Sequence, residues 1–351
     1  MELNSPDIHV RDQATTHLRE FGPKAVPPLI DLLNTKDSLF TKTYLYVARR
    51  LTPQLRLKLY QAVKPPHAPT IRAVAASALG IIGPEAKESI PALGRALRDK
   101  DKSVVWVAAT ALGRVGKEAV PTLVSALRDD DSTARHAAAY ALGLIRLEAK
   151  AAIPALIATL KDTNTNVRAS AAYTLGQIGE PAVPALIATV KQPNESVREL
   201  AAKALALMGT SAEDAMPALM GMLHDKDASL RRLAIELVGA IWPWEKETVL
   251  ALAVALKDTD QEVRLEAAKV LSRVYEKGAT AVPALADAFN DESAPVREWA
   301  ARALGNVGAA AKPAVPALTR LVEDGNESVR LAATEALKNI APGVVQAVPT
   351  K

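Results

Sequence analysis

Apolar residues recur along the chain in a phrase that combines helical spacing with a longer repeat. The phrase is clearest at 71–83, IRAVAASALGIIG, and at 167–179, VRASAAYTLGQIG. Apolar residues at its offsets 0, 4, 5, 8 and 11 form one stripe on a helix, since about 3.6 residues make a turn. Each phrase therefore predicts one amphipathic helix, which we call helix A.

A second phrase of the form V-P-A-L-x-x-A-L follows most copies of the first and predicts a shorter helix B. Proline suits the first turn of a helix, where its missing N–H would have no intrahelical partner. The first apolar positions of the A helices recur every 30 to 33 residues. These positions are Val10, Phe40, Ile71, Val104, Ala134, Val167, Val197, Leu230, Val263, Val296 and Val329. The period predicts about eleven helical hairpins, with 342–351 as a C-terminal tail.

The ends and the interior of helix A carry further signals. Asp or Asn stands three residues before most copies, where its side-chain oxygen can accept a backbone N–H. Glycine ends six copies and also occurs in the middle of six, where it costs a lone helix roughly 1 kcal/mol. Small side chains at these positions indicate that neighbouring helices approach closely, so that each hairpin buries its stripe against the next.

This repeat resembles HEAT repeats, particularly the short HEAT-like class of phycobilisome lyases and bacterial scaffold proteins, over residues 7 to about 341. In that family a basic residue at offset 1 and an acidic residue in the preceding loop form ladders between repeats. Thr41 and Val105 depart from the pattern. The matching residues here are Arg11, Arg72, Arg135, Arg168, Arg198, Arg231, Arg264, Arg297 and Arg330.

The fold prediction is therefore all-α, a right-handed α-α superhelix (solenoid) of about eleven HEAT-like helical hairpins, forming one domain over 1–351. The resemblance implies a non-catalytic scaffold that binds a protein or peptide partner. Because function lies in sites added to a fold, we expect the binding surface where the repeats differ from one another.

Composition narrows the chemistry. The chain has no cysteine, which excludes disulfides and thiolate chemistry, and no apolar run that reaches the ~20 residues of a membrane span. Its first residues lack the pattern of a signal peptide, so we expect a cytoplasmic protein. The repeat begins almost at Met1, which leaves open that the sequence is a piece of a longer protein.

A basic segment lies at 38–83, with seven basic and no acidic residues against a net charge of +4 for the whole chain. Tyrosines at 44, 46 and 60 lie among the charges. Such a segment can meet an acidic protein or a nucleic acid, or it can be the solvated face of a degenerate repeat. The residues proposed as a basic patch are Lys42, Arg49, Arg50, Arg56, Lys58 and Lys64.

An uncharged surface is predicted on helix A of repeats 3 to 6, at offsets 2, 3 and 6, which point away from the apolar stripe. The same offsets carry charge in repeats 7 to 11. Trp106, His136, Tyr140 and Tyr173 lie there and form the predicted partner-binding site, because aromatic residues often anchor protein interfaces. The alternative is that curvature of the superhelix partly buries them.

Two further features of the sequence bear on function. Trp242 and Trp244 lie in the connection of repeat 8, either as exposed anchors or as plugs for a gap left by missing Gly and Pro. The five histidines are far apart and none precedes Glu, so the His-Glu pairs of deoxyhypusine hydroxylases are absent. We predict no catalytic, cofactor or metal residues. The resemblance to phycobilin lyases leaves chromophore handling by the aromatic site as the enzymatic alternative.

Overall fold

The computed structural model describes residues 8–35, 68–241 and 244–342, and these residues are helical without strands. The α-helices, in chain order, are α1 (Ile8–Phe21), α2 (Val26–Leu33), α3 (Ala68–Ile82), α4 (Ile90–Ala96), α5 (Lys102–Val115), α6 (Val120–Ala126), α7 (Ser132–Ile145), α8 (Ile153–Thr159), α9 (Thr165–Ile178), α10 (Val183–Val190), α11 (Glu195–Met208), α12 (Met216–Met222), α13 (Ala228–Ile241), α14 (Lys246–Ala255), α15 (Gln261–Leu271), α16 (Val282–Asp287), α17 (Ala294–Val307), α18 (Val315–Leu321) and α19 (Glu327–Ile340).

Long and short helices alternate as the two phrases predict. The odd-numbered helices are the A helices, and a short turn, most often a 3-10 helix, joins each to its B helix. Proline occupies the first turn of most B helices, as Pro121 does in α6 and Pro154 in α8. The exception α14 has no proline and is longer, with 10 residues. The repeat start at Phe40 lies outside the described residues.

The predicted N-terminal caps are present in the part of the chain that the structure describes; Asp7 and Asp37 lie outside it. The Asp101 side chain accepts a hydrogen bond from the Ser103 N–H at 2.8 Å, and Asn164 accepts from the Asn166 N–H at 2.9 Å. Both residues have extended backbone conformations before a helical turn. These bonds satisfy N–H groups that the first helical turn leaves without partners.

Most of the described A helices end in the same backbone conformation. Gly116 and Gly179 end α5 and α9 with φ of 95° and 82°, a region that glycine adopts without strain. Arg146 and Tyr275 hold the equivalent positions after α7 and α15 with φ of 58° and 52°. Two non-glycine residues therefore adopt a conformation that six other A helices give to glycine.

The mid-helix glycines have the packing role that the sequence predicts. A Cβ on Gly80 would lie 2.9 Å from the Cα of Ala111, so α3 and α5 approach almost backbone to backbone. A Cβ on Gly305 would lie 3.0 Å from the Cα of Ala336, between α17 and α19. Larger side chains would separate these helices.

The stripe positions form the core in the described repeats, with two corrections. Val104, Val167 and Leu175 are fully buried, as the pattern predicts. Ile71, the first apolar position of α3, is instead 43% exposed. Phe21, the last stripe position of α1, is also exposed, by 64%.

The helices divide into two compact units, one ending at 185 and the other beginning at 186. In the first unit, the α1–α2 hairpin packs directly on α3, although 34–67 separate the two along the chain. The Arg72 guanidinium donates a hydrogen bond from Nη1 to the carbonyl of Thr35 at 3.1 Å. In both units the A helices of successive described hairpins contact one another.

A ladder of arginines joins neighbouring repeats, with a geometry that corrects the prediction. Arg135 donates from Nε and Nη2 to the Asp162 carboxylate at 2.6 and 2.9 Å, and from Nη1 to the carbonyls of Asp129 and Asp130. The preceding loop therefore supplies carbonyls, while the carboxylate lies 27 residues later. The same pairing joins Arg72 to Asp99, Arg231 to Asp258, Arg264 to Asp291 and Arg297 to Asp324.

The ladder lowers the pKa values of some of its carboxylates. The hydrogen bond from Arg135 holds the pKa of Asp162 below its usual range, and Arg231 has the same effect on the pKa of Asp258. Val105 stands where the other repeats have the ladder arginine, and it is buried. Arg98 supplies the missing cation and pairs with Asp129. An arginine from the turn after α4 thus takes the place of the usual arginine at offset 1.

Candidate functional site

Three of the four predicted partner-binding residues meet on neighbouring A helices. Trp106 projects from α5, and His136 and Tyr140 project from α7. The Trp106 and His136 rings are 4.8 Å apart between centroids and nearly perpendicular, and Trp106 meets Tyr140 edge-on at 5.7 Å. Edge-to-face aromatic pairs of this kind are stabilising, so α7 holds the indole in a fixed position.

His136 is half-buried in this cluster. Burial lowers the pKa of His136 below its usual range, because the charged imidazolium loses its water. The ring is therefore neutral at pH 7 and adds no charge to the surface. Thr110, one turn after Trp106, donates its hydroxyl to the Trp106 carbonyl at 2.9 Å and does not present it as a free donor.

Tyr173 lies on the next A helix, α9, at the position equivalent to Tyr140. Its side chain is 52% exposed, and within the described part of the chain it makes no ring contact with the other three residues. Tyr140 is 41% exposed. The aromatic positions are therefore not closed off by the packing of this unit.

The structure adds two residues that the sequence reasoning missed. Leu144 and Leu147 are 41% and 57% exposed and follow Tyr140 at the spacing i, i+4, i+7. The signal was available, since Leu144 occupies an outward offset and Leu147 follows the arginine that replaces a glycine. Together, Trp106, His136, Tyr140, Leu144, Leu147 and Tyr173 are called the apolar surface.

Equivalent positions in the second unit form ion pairs instead. Arg232 and Glu236 on α13 approach to 3.9 Å, and Glu298 and Arg302 on α17 to 2.9 Å. Arg302 also lies over the Trp299 ring, 5.6 Å from its centroid. These charges keep that face well hydrated, whereas the apolar surface of the first unit has none.

The remaining sequence predictions have mixed outcomes. Lys42, Arg49, Arg50, Arg56, Lys58 and Lys64 lie outside the described residues, as does Trp242. Arg72, at the end of the basic segment, is buried and paired with Asp99, so it is a ladder residue and not part of a basic surface. Trp244 is 4% exposed, which favours its interpretation as a gap-filling side chain.

The described residues contain no group of three or more His, Asp or Glu side chains placed to hold a metal ion. None of their helices is both long enough and apolar enough to cross a membrane. The chemistry offered by the apolar surface is contact through aromatic and aliphatic groups, with the Tyr140 and Tyr173 hydroxyls as hydrogen-bonding groups.

Stacked helical hairpins with arginine ladders define an α-solenoid. The family model for HEAT repeats matches the chain at 57–143, 90–162, 153–239, 216–305 and 248–338. These matches cover more than half of the sequence, so the chain belongs to the HEAT-repeat family. No protein of curated function matches it.

Solved structures share the fold at low sequence identity. Kap95p, in a complex with RanGDP, is 15% identical with a TM-score of 0.50 over 99% of this chain and 55% of its own. Karyopherin Kap121p, bound to the extreme C-terminus of the phosphatase Cdc14p, is 12% identical with a TM-score of 0.55 over 97% and 44%. The chain therefore spans about half the length of these karyopherins.

Human deoxyhypusine hydroxylase is 27% identical, over 72% of this chain and 96% of its own. Its TM-score is 0.31.

Proposed function

We propose that this protein is a non-catalytic scaffold that binds a partner protein through the apolar surface on α5, α7 and α9. The observation that carries the proposal is the group of exposed Tyr140, Leu144 and Leu147 beside Trp106. Aromatic and leucine side chains lose water favourably when a partner covers them, at about 25 cal/mol per Å². The ion-paired faces of the second unit would lose hydration at a cost.

The arrangement suits a helix or a short apolar segment. Tyr140 and Leu144 lie one turn apart on α7, Leu147 lies in the turn that follows α7, and Tyr173 lies on the neighbouring helix α9. An amphipathic helix presents its own apolar residues one turn apart and can lie along such a surface. Kap95p and Kap121p, which share the fold, are seen with protein partners.

The experiment compares partner capture by two variants of equal size. Tyr140→Ala, Leu147→Ala and Tyr173→Ala are combined in the site variant, because these exposed side chains can be removed without opening the core. We expect the site variant to lose at least about tenfold in recovery of proteins captured from the source cells, since interface aromatics carry roughly 2 kcal/mol or more each. The measurement is quantitative mass spectrometry with the unmodified chain as reference.

The matched control removes three exposed apolar side chains from the second unit: Leu250→Ala, Tyr275→Ala and Leu331→Ala. It should retain the partners of the unmodified chain. Unchanged recovery by the site variant, or equal loss by the control, would show that the apolar surface is not the binding site.

The chromophore-handling alternative uses the same aromatic side chains and has a separate readout. Bilin added to the purified protein would shift its visible absorption on binding, and Trp106→Phe would alter that shift. An unchanged spectrum removes this alternative and leaves the scaffold proposal intact.

A further inference from the structure

The B helices of the first unit carry a second exposed surface, of opposite character to the apolar surface. Arg95 on α4 is basic and exposed, and so is the residue two positions after the end of each of the helices α4, α6 and α8. The three helices themselves contain no acidic residue. Arg98, Arg128 and Lys161 occupy equivalent positions, seven residues after the helix proline. These four side chains, Arg95, Arg98, Arg128 and Lys161, are called the basic row.

Open grooves flank the first of these helices on both sides. One lies between the ends of α2 and α4 and is bordered by Asn34, Arg95 and Arg98. The other lies between α4 and α6, where Gly94, Thr122 and Ser125 leave room beside Arg95 and Arg98. Both grooves share the two arginines, so a chain that lies across them meets two positive charges together.

One aspartate in each of the turns after α4, α6 and α8 forms an ion pair with an arginine of the same chain. Asp99 is bound by Arg72 and Asp162 by Arg135, each through two hydrogen bonds. Asp129 pairs with Arg98, whose side chain nevertheless remains 70% exposed. These three carboxylates lie beside the basic row, and each is paired with an arginine. Arg95, Arg128 and Lys161 are not paired with any of them.

We propose that the basic row binds an extended acidic peptide segment of another protein, with a carboxylate at about every third residue. Packed helices of successive repeats lie roughly 10 Å apart, and three residues of extended chain span about the same distance. A peptide that crosses α4, α6 and α8 would therefore meet one cation per three residues. The small side chains between the cations let its backbone approach the groove floor.

The surface is less suited to nucleic acid. The three B helices contain no aromatic side chain on which a base could stack. The exposed Asp130, two residues after Arg128, would also repel a continuous phosphate backbone that passes it. A peptide with a carboxylate only at every third residue can pass Asp130 with an uncharged residue.

The test uses a fluorescein-labelled peptide of about 15 residues, with glutamate at every third position and serine or glycine between, because this length crosses the three helices. Fluorescence anisotropy with the full chain should show binding at about 50 mM salt that weakens steeply towards 200 mM. A peptide of the same composition with its glutamates contiguous should bind more weakly, since fewer carboxylates then match a cation. An oligothymidylate of equal charge is the nucleic-acid comparison.

A charge-matched pair of variants locates the site. Arg95→Gln, Arg128→Gln and Lys161→Gln together should weaken peptide binding about tenfold or more, as three phosphate-type contacts do in other polyanion sites. A control variant removes the same charge from exposed positions outside the basic row, by Lys102→Gln, Lys117→Gln and Lys150→Gln. Its affinity for the peptide should stay within about twofold of that of the unmodified chain. The site variant of the apolar surface should retain peptide binding, so failure of this inference and failure of the proposed function are distinguishable.

Three results would overturn the inference: absence of peptide binding at low salt, equal loss in both charge variants, or equal affinity for the two glutamate arrangements. Tighter binding of the oligothymidylate than of the peptide would overturn it in favour of nucleic acid.

Discussion

Arg146 shows how a single residue can depart from the repeat without changing the fold. It ends α7 with φ of 58° and ψ of −133°, close to the 82° and −146° of Gly179 at the end of α9. An L side chain in this region has unfavourable contacts with its own backbone, at a cost of roughly 1–3 kcal/mol. The turn around Arg146 is therefore strained, and it carries the exposed Leu147 of the apolar surface.

Replacing Arg146 by glycine should stabilise the first unit. Arg146→Gly relieves the strained conformation but gives the unfolded chain more freedom, and we expect a net gain of about 1 kcal/mol. Urea unfolding followed by circular dichroism measures it. The reciprocal change Gly179→Ala should destabilise by a similar amount, although no atom lies within 4 Å of the added Cβ. A destabilised Arg146→Gly would mean that contacts of the arginine side chain outweigh the strain.

At the scale of helices, close approach decides where glycine is required. Gly80 lies in the middle of α3 against α5, and its nearest neighbour is a backbone atom that cannot move aside without shifting a helix. Gly221 is near the end of α12, with nothing within 4 Å of a Cβ. The same residue type therefore has opposite consequences at the two sites.

Gly80→Ala and Gly221→Ala form a matched pair of changes. Alanine favours a helix over glycine by about 1 kcal/mol, so Gly221→Ala should stabilise. At Gly80 the overpacking cost of roughly 1–3 kcal/mol exceeds this gain and the protein should be less stable. Hydrogen exchange should show lost protection in α3 and α5 for Gly80→Ala and not for Gly221→Ala. Stabilisation by both would indicate that the A helices are farther apart than described.

The helices were predictable from sequence to a greater degree than the surfaces. The stripe, the caps and the prolines depend on neighbours within one hairpin, and periodicity predicts them correctly. Exposure of Ile71 and of Leu147 depends on what packs from another hairpin, which spacing alone does not reveal. The ladder was predicted in its arginines, but its carboxylates were assigned to the wrong loop because their distance in space, not along the chain, selects them.

For the whole molecule, the ladder makes stability depend on acid. Arginine hydrogen bonds hold the pKa values of Asp162, Asp258 and Asp324 below those of the unfolded chain, near 3.9. The folded protein thus binds fewer protons, so this stabilisation is complete above about pH 5 and is lost as pH falls through the lowered pKa values. Raising the pH from 5 to 8 should change it little.

The changes Asp162→Asn, Asp258→Asn and Asp324→Asn, made together, should flatten the acid dependence of the urea midpoint. Each also lowers stability at pH 7 by roughly 3 kcal/mol, because a mostly buried arginine loses its partner. The exposed Asp130→Asn is the control and should leave the acid dependence as it is. An unchanged acid slope in the triple variant would exclude the ladder as its source.

The bond between Arg72 and Thr35 also affects the order in which the chain assembles. It spans 37 residues, whereas the corresponding bond from Arg135 to the Asp129 carbonyl spans 6. Contacts between residues close in sequence form early, and those between distant residues wait for the intervening chain. During synthesis, the α1–α2 hairpin leaves the ribosome before α3 exists to cover its apolar stripe. That hairpin therefore lacks its packing partner α3 until translation has passed residue 82.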